Sequence, residues 1–578
     1  MVRTETYETD VLVLGGGLAA LRAAWEAARL GARVTVCVKR KLGRCGSSAI
    51  TSGGYAVAHP AITPQDSWQR HYADTLVGGA LINDRRLARV LCQEAGERVE
   101  DLLQLGVPFA RHNGAYRLSP SGDHSSPRVL VPVHMRGTDL TLPLREAVLA
   151  SGVQPLEETR ALALLVDDGR VAGAVGLNAD RGTLVVVRAG ATVMGTGGAG
   201  RLFTVTSNPV DVTGDGYALA ARAGVPLRDM EMVQFYPWRA IRPFKGSRVP
   251  IQPSTFAVGA RLYNRRGERF MARYDPERLE STTRDIAARG IFDQIRLGED
   301  VEGGVILDLS GVSDEDFVAT NLKVVERLQP RGLSFREVRF IIAPEAHFIM
   351  GGMVIDEVGR TPLGGLYACG EAAGGIHGAN RLNSNAIPDT QVFGARAGRA
   401  AAEAARTERP GRVDDGVLRA WARRVEGLGS GPGPQQGTLA ALRQELQQVV
   451  SLALGIVRTA AGLEAGLTAL DRLRARLAAT PVTTAGEFEE VVELECMADA
   501  AELMMHAALH RTESRGAHFR EDCPEQDDAG WLRTVVVTRE RDGACRVATR
   551  PIDRDGDETV LGGATPGQVR RIEGEFVE

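Results

Sequence analysis

The stretch Asp10-Val11-Leu12-Val13-Leu14-Gly15-Gly16-Gly17 decides the fold, because a short apolar strand runs straight into a glycine loop. An alanine-rich helical pattern follows as far as Leu30, and residues 34–38 read as a second buried strand. In such a unit the glycines let a pyrophosphate approach the N-terminus of the helix, where free N–H groups favour negative charge. The sequence therefore predicts a Rossmann-like α/β domain that binds a dinucleotide.

The glycine pattern is Gly15-x-Gly17-x-x-Ala20, which also fits a turn that serves only packing. Its place between a strand and a helix favours the dinucleotide. The acidic residue that usually ends the second strand and binds a ribose hydroxyl is missing, since Lys39 stands there. Ribose recognition must therefore be arranged differently.

The composition excludes several classes of protein. The length of 578 residues predicts two to four domains. A formal net charge of -4, without long runs of one sign, predicts binding to neither nucleic acid nor an anionic membrane. The seven cysteines never form Cys-x-x-Cys, so we expect neither a disulfide framework nor a metal site built by this chain. No apolar stretch reaches about 18 residues, which predicts a cytoplasmic chain without a direct membrane span, reaching the inner membrane only through partner subunits.

Further segments rich in glycine and hydroxyl groups follow along the chain. They are residues 43–54, 195–200 (Gly-Thr-Gly-Gly-Ala-Gly) and 213–216 (Thr-Gly-Asp-Gly). Several such loops in one fold imply a cofactor that is touched from many sides. Between them, residues 162–187 read as a β-hairpin around Asp167-Asp168-Gly169.

The amino-acid composition changes after about Val233, with more arginine, proline and aromatic residues, and changes back near His347. This pattern predicts a domain inserted between two halves of the cofactor domain. Helical patterns then run to about Leu509, and a strand-like tail begins at Trp531. One helical pattern, residues 439–454, is apolar on more than one face, which fits domain packing and a partner surface.

Residues 345–389 combine many glycines with His347, His377 and Arg381. Glycine allows close approach of a ligand to the backbone. Histidine and arginine are the side chains that bind carboxylates and move protons. The stretch therefore predicts an acidic ligand held against the backbone.

Together these motifs resemble the flavoprotein subunits of succinate dehydrogenase and fumarate reductase, a family that also contains L-aspartate oxidase and adenylylsulfate reductase. The likeness covers nearly the whole chain and keeps the family order. Besides the glycine loops, it is carried by residues 230–235 (MEMVQF), 267–271 (GERFM), 347–352 (HFIMGG), 377–382 (HGANRL) and 511–518 (RTESRGAH).

The resemblance implies a Rossmann-like FAD-binding domain that is interrupted by an α+β capping domain and followed by a C-terminal helical domain. The expected divisions are 1–233 and 346–406 for the FAD-binding domain, 234–345 for the capping domain, 412–530 for the helical domain and 531–578 for a tail. The resemblance also implies hydride transfer between FAD and a small organic acid, with an iron–sulfur protein as electron partner.

By matched position, the resemblance gives His347 and Arg381 the task of holding a substrate carboxylate. Tyr236 joins this catalytic set, because it stands where dicarboxylate enzymes of the family read His in Gln-Phe-His-Pro. The positions expected to contact FAD are Gly15, Gly17, Ala20, Lys39, Ser47, Ser48, Gly53, Gly54, Thr196, Gly197, Gly198, Asp215, Glu371, Arg381, Ala386 and Ile387.

Two further departures from the family shape the expectations. Members with covalent flavin carry a histidine in the segment matching residues 45–48, whereas the first histidine here is His59, so we expect noncovalent FAD. The proton-shuttle arginine that the family places before its Gly-Glu-Arg-Phe-Met segment falls on Phe256. Arg261 or Arg248 would have to replace it, and in an extended segment Arg261 would point away.

We therefore expect a substrate other than succinate or fumarate, in a pocket made more apolar by Phe256, Tyr236 and Trp238. The alternative is an electron-transfer flavoprotein subunit that relays electrons within a complex containing an iron–sulfur protein. His347 and Arg381 favour the enzyme, because a relay has no use for residues that bind a carboxylate. His506, His510 and His518 fit a structural polar network better than a metal site, and Cys45 fits a small buried residue better than a redox thiol.

Overall fold

A computed structural model describes residues 3–119, 123–244, 249–408, 410–411, 415–428 and 433–553. The strands of the first part are β1 Arg3–Leu14, β2 Val34–Cys37, β3 Tyr55–Ala56, β4 Arg111–His112, β5 Ala115–Tyr116, β6 Leu118–Ser119, β7 Val129–Leu130, β8 Gln154–Leu156, β9 Arg160–Asp167, β10 Arg170–Asn178, β11 Thr183–Met194 and β12 Leu227–Arg228. Its helices are α1 Leu18–Arg29, α2 Gly46–Ile50, α3 Trp68–Gly78, α4 Arg85–Gln104, α5 Thr138–Ala150 and α6 Asp215–Arg222.

The central sheet is organised around β1. Its strand order is β8-β2-β1-β11-β10-β9, and β1 pairs in parallel with both β2 and β11. Residues 11–14 are buried, as their unbroken apolar run predicts, and helix α1 packs against this strand. The predicted hairpin around Asp167-Asp168-Gly169 is confirmed as the antiparallel pair β9 and β10.

The inserted part forms a second sheet. Its elements are β13 Val233–Arg242, β14 Val249–Pro250, α7 Ser254–Ala257, β15 Arg261–Tyr263, α8 Arg284–Arg296, β16 Val305–Asp308, α9 Asp314–Thr320, α10 Leu322–Leu328 and β17 Phe340–Ile349. The order of its strands is β14-β13-β17-β16-β15. The predicted boundary at 345/346 falls inside β17, so this strand runs continuously from the inserted sheet to His347.

The chain then returns to the first sheet through β18 Gly352–Met353, β19 Leu366–Ala368 and α11 Ala386–Ala405. Strand β19 pairs in parallel with β11. Helix α11 packs closely on α1, because a Cβ at Gly398 would lie 2.3 Å from the carbonyl oxygen of Ala23. The two halves of the cofactor domain thus form one layered unit.

The C-terminal part consists of α12 Asp415–Glu426, α13 Thr438–Ala453, α14 Ala460–Ala478, α15 Ala485–His510, α16 Asp528–Trp531, β20 Arg533–Arg539 and β21 Cys545–Pro551. Helix α15 begins with a capping box formed by Thr484 and Glu487. Strand β20 pairs with β12, and so joins this part to the first domain. Within the described ranges no helix has the length and apolar character to cross a bilayer. The predicted fold class is confirmed.

Candidate active site

Two cavities meet beside the glycine loop. The larger has a volume of about 510 Å³ and lies between the first domain and the inserted sheet. The smaller, of about 110 Å³, lies behind the N-terminus of α1. Ser47 and Glu371 line both cavities, so the two form one continuous cradle.

The smaller cavity has the features of a phosphate site. Gly15 has a φ of +119°, and a Cβ there would lie 2.2 Å from the carbonyl oxygen of Gly195. Helix α1 starts after Gly17, which has no capping side chain; the N–H of Leu18 donates to Ser48 Oγ at 3.1 Å, and the N–H groups that follow it suit an anion. Among the described residues, the buried Oγ1 of Thr196 has no hydrogen-bond partner, which is the state of a group that a cofactor would satisfy. Predicted residues that line this cavity are Gly15, Gly17, Lys39, Ser47, Thr196, Gly197, Asp215 and Glu371.

Lys39 lies in a buried ionic network behind this cavity. Its Nζ donates to Thr213 at 2.6 Å and lies 3.1 Å from Asp215 and 3.2 Å from Glu493. Arg160 donates to the same Asp215 oxygen at 2.6 Å. Burial opposes ionisation of Asp215, but Arg160 and Lys39 hold its pKa below the ordinary value. The network ties the end of β2 to helix α15.

One wall of the larger cavity contains the predicted flavin contacts. Those that line it are Ser47, Ser48, Gly53, Gly54, Glu371, Arg381, Ala386 and Ile387. The Glu371 carboxylate accepts from the backbone N–H of Ile349 at 2.9 Å, and burial raises its pKa to about 7. Gly198 lies outside both cavities and makes room for Glu371, because a Cβ there would lie 2.2 Å from Glu371 Oε1. Ala20 also lies outside them and packs against Gly195.

His347 lies on the opposite wall, near the end of β17. Its Nδ1 is hydrogen-bonded to Ser207 Oγ at 2.7 Å, so Nε2 is the ring nitrogen that can meet a ligand. Burial and the charges of Arg284 and Arg381 hold the pKa of His347 well below its usual range. The imidazole is therefore neutral at physiological pH.

Arg381 and Arg284 lie side by side in the same cavity. Each donates to Gln234 Oε1 at 2.9 Å. Arg284 also donates to Asn383 at 2.6 Å, and the Arg381 guanidinium lies 4.7 Å from the ring centroid of Phe348. Burial lowers the pKa of both, that of Arg381 to about 9, so both stay charged at neutral pH.

The sequence predictions missed Arg284. It is the first residue of α8, after Thr282-Thr283, and lies in the cavity because α8 packs against β13 and β17. A positive charge at the first position of a helix opposes the helix dipole. This unfavourable position for a positive charge was the signal in the sequence that another part of the molecule requires the arginine.

Phe256 and its surroundings differ from the prediction. Its ring packs on Trp238 with centroids 4.9 Å apart, inside the core of the inserted domain. The segment is not extended, since α7 covers residues 254–257 and Gly259 has a φ of +112°. Arg261 is exposed in β15, and Arg248 lies outside the described residues.

Tyr236 lines the larger cavity, and its hydroxyl donates to the carbonyl of Ile251 at 2.6 Å. Trp238 and Phe256 are absent from the lining of this cavity. Of the three aromatic residues expected to make the pocket more apolar, Tyr236 lines it, whereas the rings of Trp238 and Phe256 are used for core packing. Among the residues that the structure describes, five cationic side chains line the cavity against two carboxylates: Arg239, Arg284, Lys323, Arg327 and Arg381, with Glu326 and Glu371.

Two other candidate sites, the cluster around His506 and the thiol of Cys45, have surroundings typical of residues that only stabilise the fold. Glu502, His506 and Cys545 place ligand atoms within 4.8 Å of one another, but Arg474 and Arg539 form ion pairs with Glu502. Two guanidiniums at one carboxylate oppose a bound cation. Burial raises the pKa of Cys45 to about 12, so its thiol is not a ready nucleophile.

Two family models and several known proteins match this chain. The family model described as FAD binding domain matches residues 10–387, and the one described as Fumarate reductase flavoprotein C-term matches residues 443–558. One subunit of the CoM/CoB fumarate reductase of Methanothermobacter marburgensis is 37% identical over 546 residues, covering 93% of this chain and 98% of that protein. An L-aspartate oxidase of Caulobacter vibrioides is 35% identical and covers 94% of this chain and 98% of its own. The solved quinol fumarate reductase of E. coli superposes with a TM-score of 0.85 at 30% identity, over 95% of this chain and 97% of its own.

Proposed function

The chain belongs to the FAD-dependent flavoprotein family of fumarate reductase and succinate dehydrogenase, and from this membership we propose that it exchanges a hydride with a small organic acid. The observation that carries the proposal is the group His347, Arg284 and Arg381, which lines the same cavity as the flavin contacts. A relay of electrons has no use for three residues suited to an acidic ligand. FAD, when bound, supplies the acceptor or donor of the hydride.

The chain's own residues fit FAD at both ends. The glycine loop, the N–H groups of α1 beyond Leu18 and the buried Thr196 hydroxyl suit the pyrophosphate end. Ser47, Ser48 and residues 386–387 would hold the flavin end. We propose that FAD is bound noncovalently. The first histidine of the chain, His59, is hydrogen-bonded to Glu100 at 2.9 Å and lines neither cavity.

Arg381 and the neutral His347 are suited to hold a carboxylate next to the reacting carbon. A guanidinium presents a fork of donors to a carboxylate, and His347 Nε2 can supply another hydrogen bond. Arg284 lies beside them with a pKa lowered by burial. A lowered pKa makes it a better proton donor to a substrate carbon. We assign the proton transfer to Arg284.

This assignment changes the expectation for the substrate. Phe256 is the residue that disfavours succinate and fumarate in the sequence, and Arg284 supplies a buried guanidinium for the task of the missing arginine. The positive lining of the cavity also suits an acid with more than one negative charge. We therefore propose small di-anionic acids, fumarate among them, as the class to test.

The test is an anaerobic reoxidation assay. The purified holoprotein is reduced and mixed with fumarate, with longer unsaturated diacids, or with the monoacid crotonate, while flavin absorbance is followed. We expect rapid reoxidation by at least one diacid. If every acid leaves the flavin reduced, the enzyme proposal fails.

The second candidate is an electron-transfer subunit with an iron–sulfur partner. Relatives bear the name flavoprotein subunit, and one surface suits a partner. Leu452 is 82% exposed and Val205 36%, on either side of the hydrogen bonds between Thr204 and Ser451. This surface adjoins Ser207, which binds His347, so a partner there would lie close to the redox site. Such a partner would also fix the chain at the cytoplasmic face of the inner membrane.

Co-expression with an iron–sulfur protein encoded by a neighbouring gene tests this candidate. Leu452→Asp should reduce the iron that copurifies with the flavoprotein about tenfold, since it places a charge in a buried apolar contact. Val318→Asp, at an apolar residue that is 45% exposed on α9, is the matched control. Equal iron content in both variants would contradict the assigned surface.

A further inference from the structure

We propose that Lys323 and Arg239 form a second anion-binding subsite at the outer part of the larger cavity, which binds a second acidic group of the substrate. The inference rests on the proposed function and specifies its substrate class. The subsite would select acids with two negative groups over monoacids of the same length.

The inserted domain contributes both side chains. Lys323 lies on α10 and Arg239 on β13, and both line the cavity that also holds His347 and Arg381. Lys323 Nζ donates to the carbonyl oxygen of Ile50 at 3.3 Å, which orients the ammonium group with one of its three hydrogens. Two donors remain for a ligand in the cavity.

Arg239 is held by an ion pair. Its Nε lies 2.6 Å from Oε1 of Glu345, whose side chain is fully buried. The carboxylate fixes one edge of the guanidinium, while Arg239 remains part of the cavity wall. A guanidinium and an ammonium in the wall of one cavity are an arrangement that suits a carboxylate or another acidic group.

The two cations are close enough to affect each other. Burial, then the charge of Arg239, lowers the pKa of Lys323 to about 8. Glu345 pairs with Arg239, and the charge of Glu326 partly offsets the effect on Lys323, but burial and the neighbouring cations outweigh it. An anion bound in the cavity would relieve the remaining penalty. A solvated surface patch would not show this penalty, because water would screen the two charges.

The chemistry of the two ends defines the ligand. His347, Arg284 and Arg381 serve the carboxylate beside the reacting carbon, and the outer pair serves the other acidic group. That group can be a carboxylate or a phosphonate, because both accept from ammonium and guanidinium donors. The inserted domain would thus determine the length and charge of the acid that reacts.

Lys323 is the residue to change. Loss of Arg239 would remove an ion pair from the buried Glu345 carboxylate and would destabilise the fold. Lys323→Gln removes only the charge, and Lys323→Arg restores it. Lys41, which pairs with Glu157 on the surface, gives Lys41→Gln as a matched control outside the cavities.

The experiment is an equilibrium titration of the oxidised holoprotein, read by the change in flavin absorbance. The ligands are butyrate, succinate, glutarate, adipate and 3-phosphonopropionate; a shift of the flavin band is scored as binding, and bleaching of the band is scored as hydride transfer from the ligand. We expect at least one two-charge acid to bind about tenfold or more tightly than butyrate, and Lys323→Gln to remove about tenfold of that preference, as the loss of one charged contact predicts. Lys323→Arg and Lys41→Gln should keep it.

The outcomes separate the two proposals. Failure of every acid to reoxidise the reduced flavin overturns the proposed reaction, while the titrations still decide the subsite. If butyrate binds as tightly as every two-charge acid, the subsite is overturned. It is also overturned if Lys323→Gln weakens butyrate and the two-charge acids by the same factor.

Discussion

Arg284 and Arg381 donate to the same atom, Oε1 of Gln234, each at 2.9 Å. Gln234 is held in turn, because its Nε2 donates to Asn380 at 2.8 Å. Two guanidiniums that share one neutral acceptor repel each other strongly in a buried site. The neutral glutamine does not compensate their charge, so an acidic ligand bound beside them would relieve that repulsion.

Arg284→Met should slow flavin reoxidation by the best acid between about 10²- and 10⁴-fold, because it removes the assigned proton donor. The flavin content of the purified protein should not change. Arg296→Met, at an exposed position of the same helix, is the control. Stopped-flow absorbance measures the rate, and a variant as fast as the wild type would contradict the assignment.

The preference for a diacid over a monoacid should fall as the pH rises from about 7 to about 9. Lys323 has a pKa lowered to about 8 by burial and by Arg239, so it loses its charge in this interval. A neutral amine no longer attracts the second acidic group, whereas an arginine would remain charged. Titrations at constant ionic strength should show the decline in the wild type and its absence in Lys323→Arg. A constant ratio in the wild type would exclude Lys323 from binding.

Gly15→Ala should yield protein without flavin. A Cβ at Gly15 would overlap the carbonyl oxygen of Gly195, and displacement of that loop would alter the phosphate site. Gly31 also has a positive φ, +84°, but a Cβ added there would meet no atom within 4 Å. Gly31→Ala should therefore cost only about 1–2 kcal/mol of stability and keep the flavin. The ratio of absorbance at the flavin band to that at the protein band measures the difference.

Acid precipitation of the holoprotein should release FAD into the supernatant. No histidine precedes His59, and Ser47 and Ser48 occupy the segment where a histidine would be expected for covalent attachment. Absorbance of the supernatant gives the released fraction, which we expect to approach one equivalent. Fluorescence that stays with the protein band on a denaturing gel would show a covalent bond instead.

The local sequence is sufficient to predict the main strands and helices around the glycine loop. The strand, glycine loop and helix at residues 10–30 depend on neighbours in the chain, and the hairpin at 162–187 depends on one turn. The sequence also predicts His347 and Arg381 as site residues, and the structure brings both to one cavity. The sequence motifs that contain His347 and Arg381 lie in, or next to, the domain that provides the predicted flavin contacts of this cavity.

The other residues of the site depend on long-range packing. Arg239, Arg284 and Lys323 reach the cavity only because the inserted sheet lies over the first domain. The sequence predicts a cofactor contact for Lys39, but its contact with Glu493 from α15 was not foreseeable from neighbouring residues. The prediction for the surroundings of Phe256 fails because it assumes an extended strand over residues 254–262, whereas α7 turns the ring into the core.

The positive lining of the larger cavity also affects how the protein meets its ligands. The chain as a whole carries a formal net charge of -4, yet five cationic side chains of its described part converge on one opening. Such a local field guides small anions inward and raises their association rate, and salt weakens the effect. Phosphate, sulfate and citrate would occupy the same field as the substrate. Assays in those buffers would therefore understate both affinity and rate, and a buffer without polyvalent anions is the correct medium for measuring either.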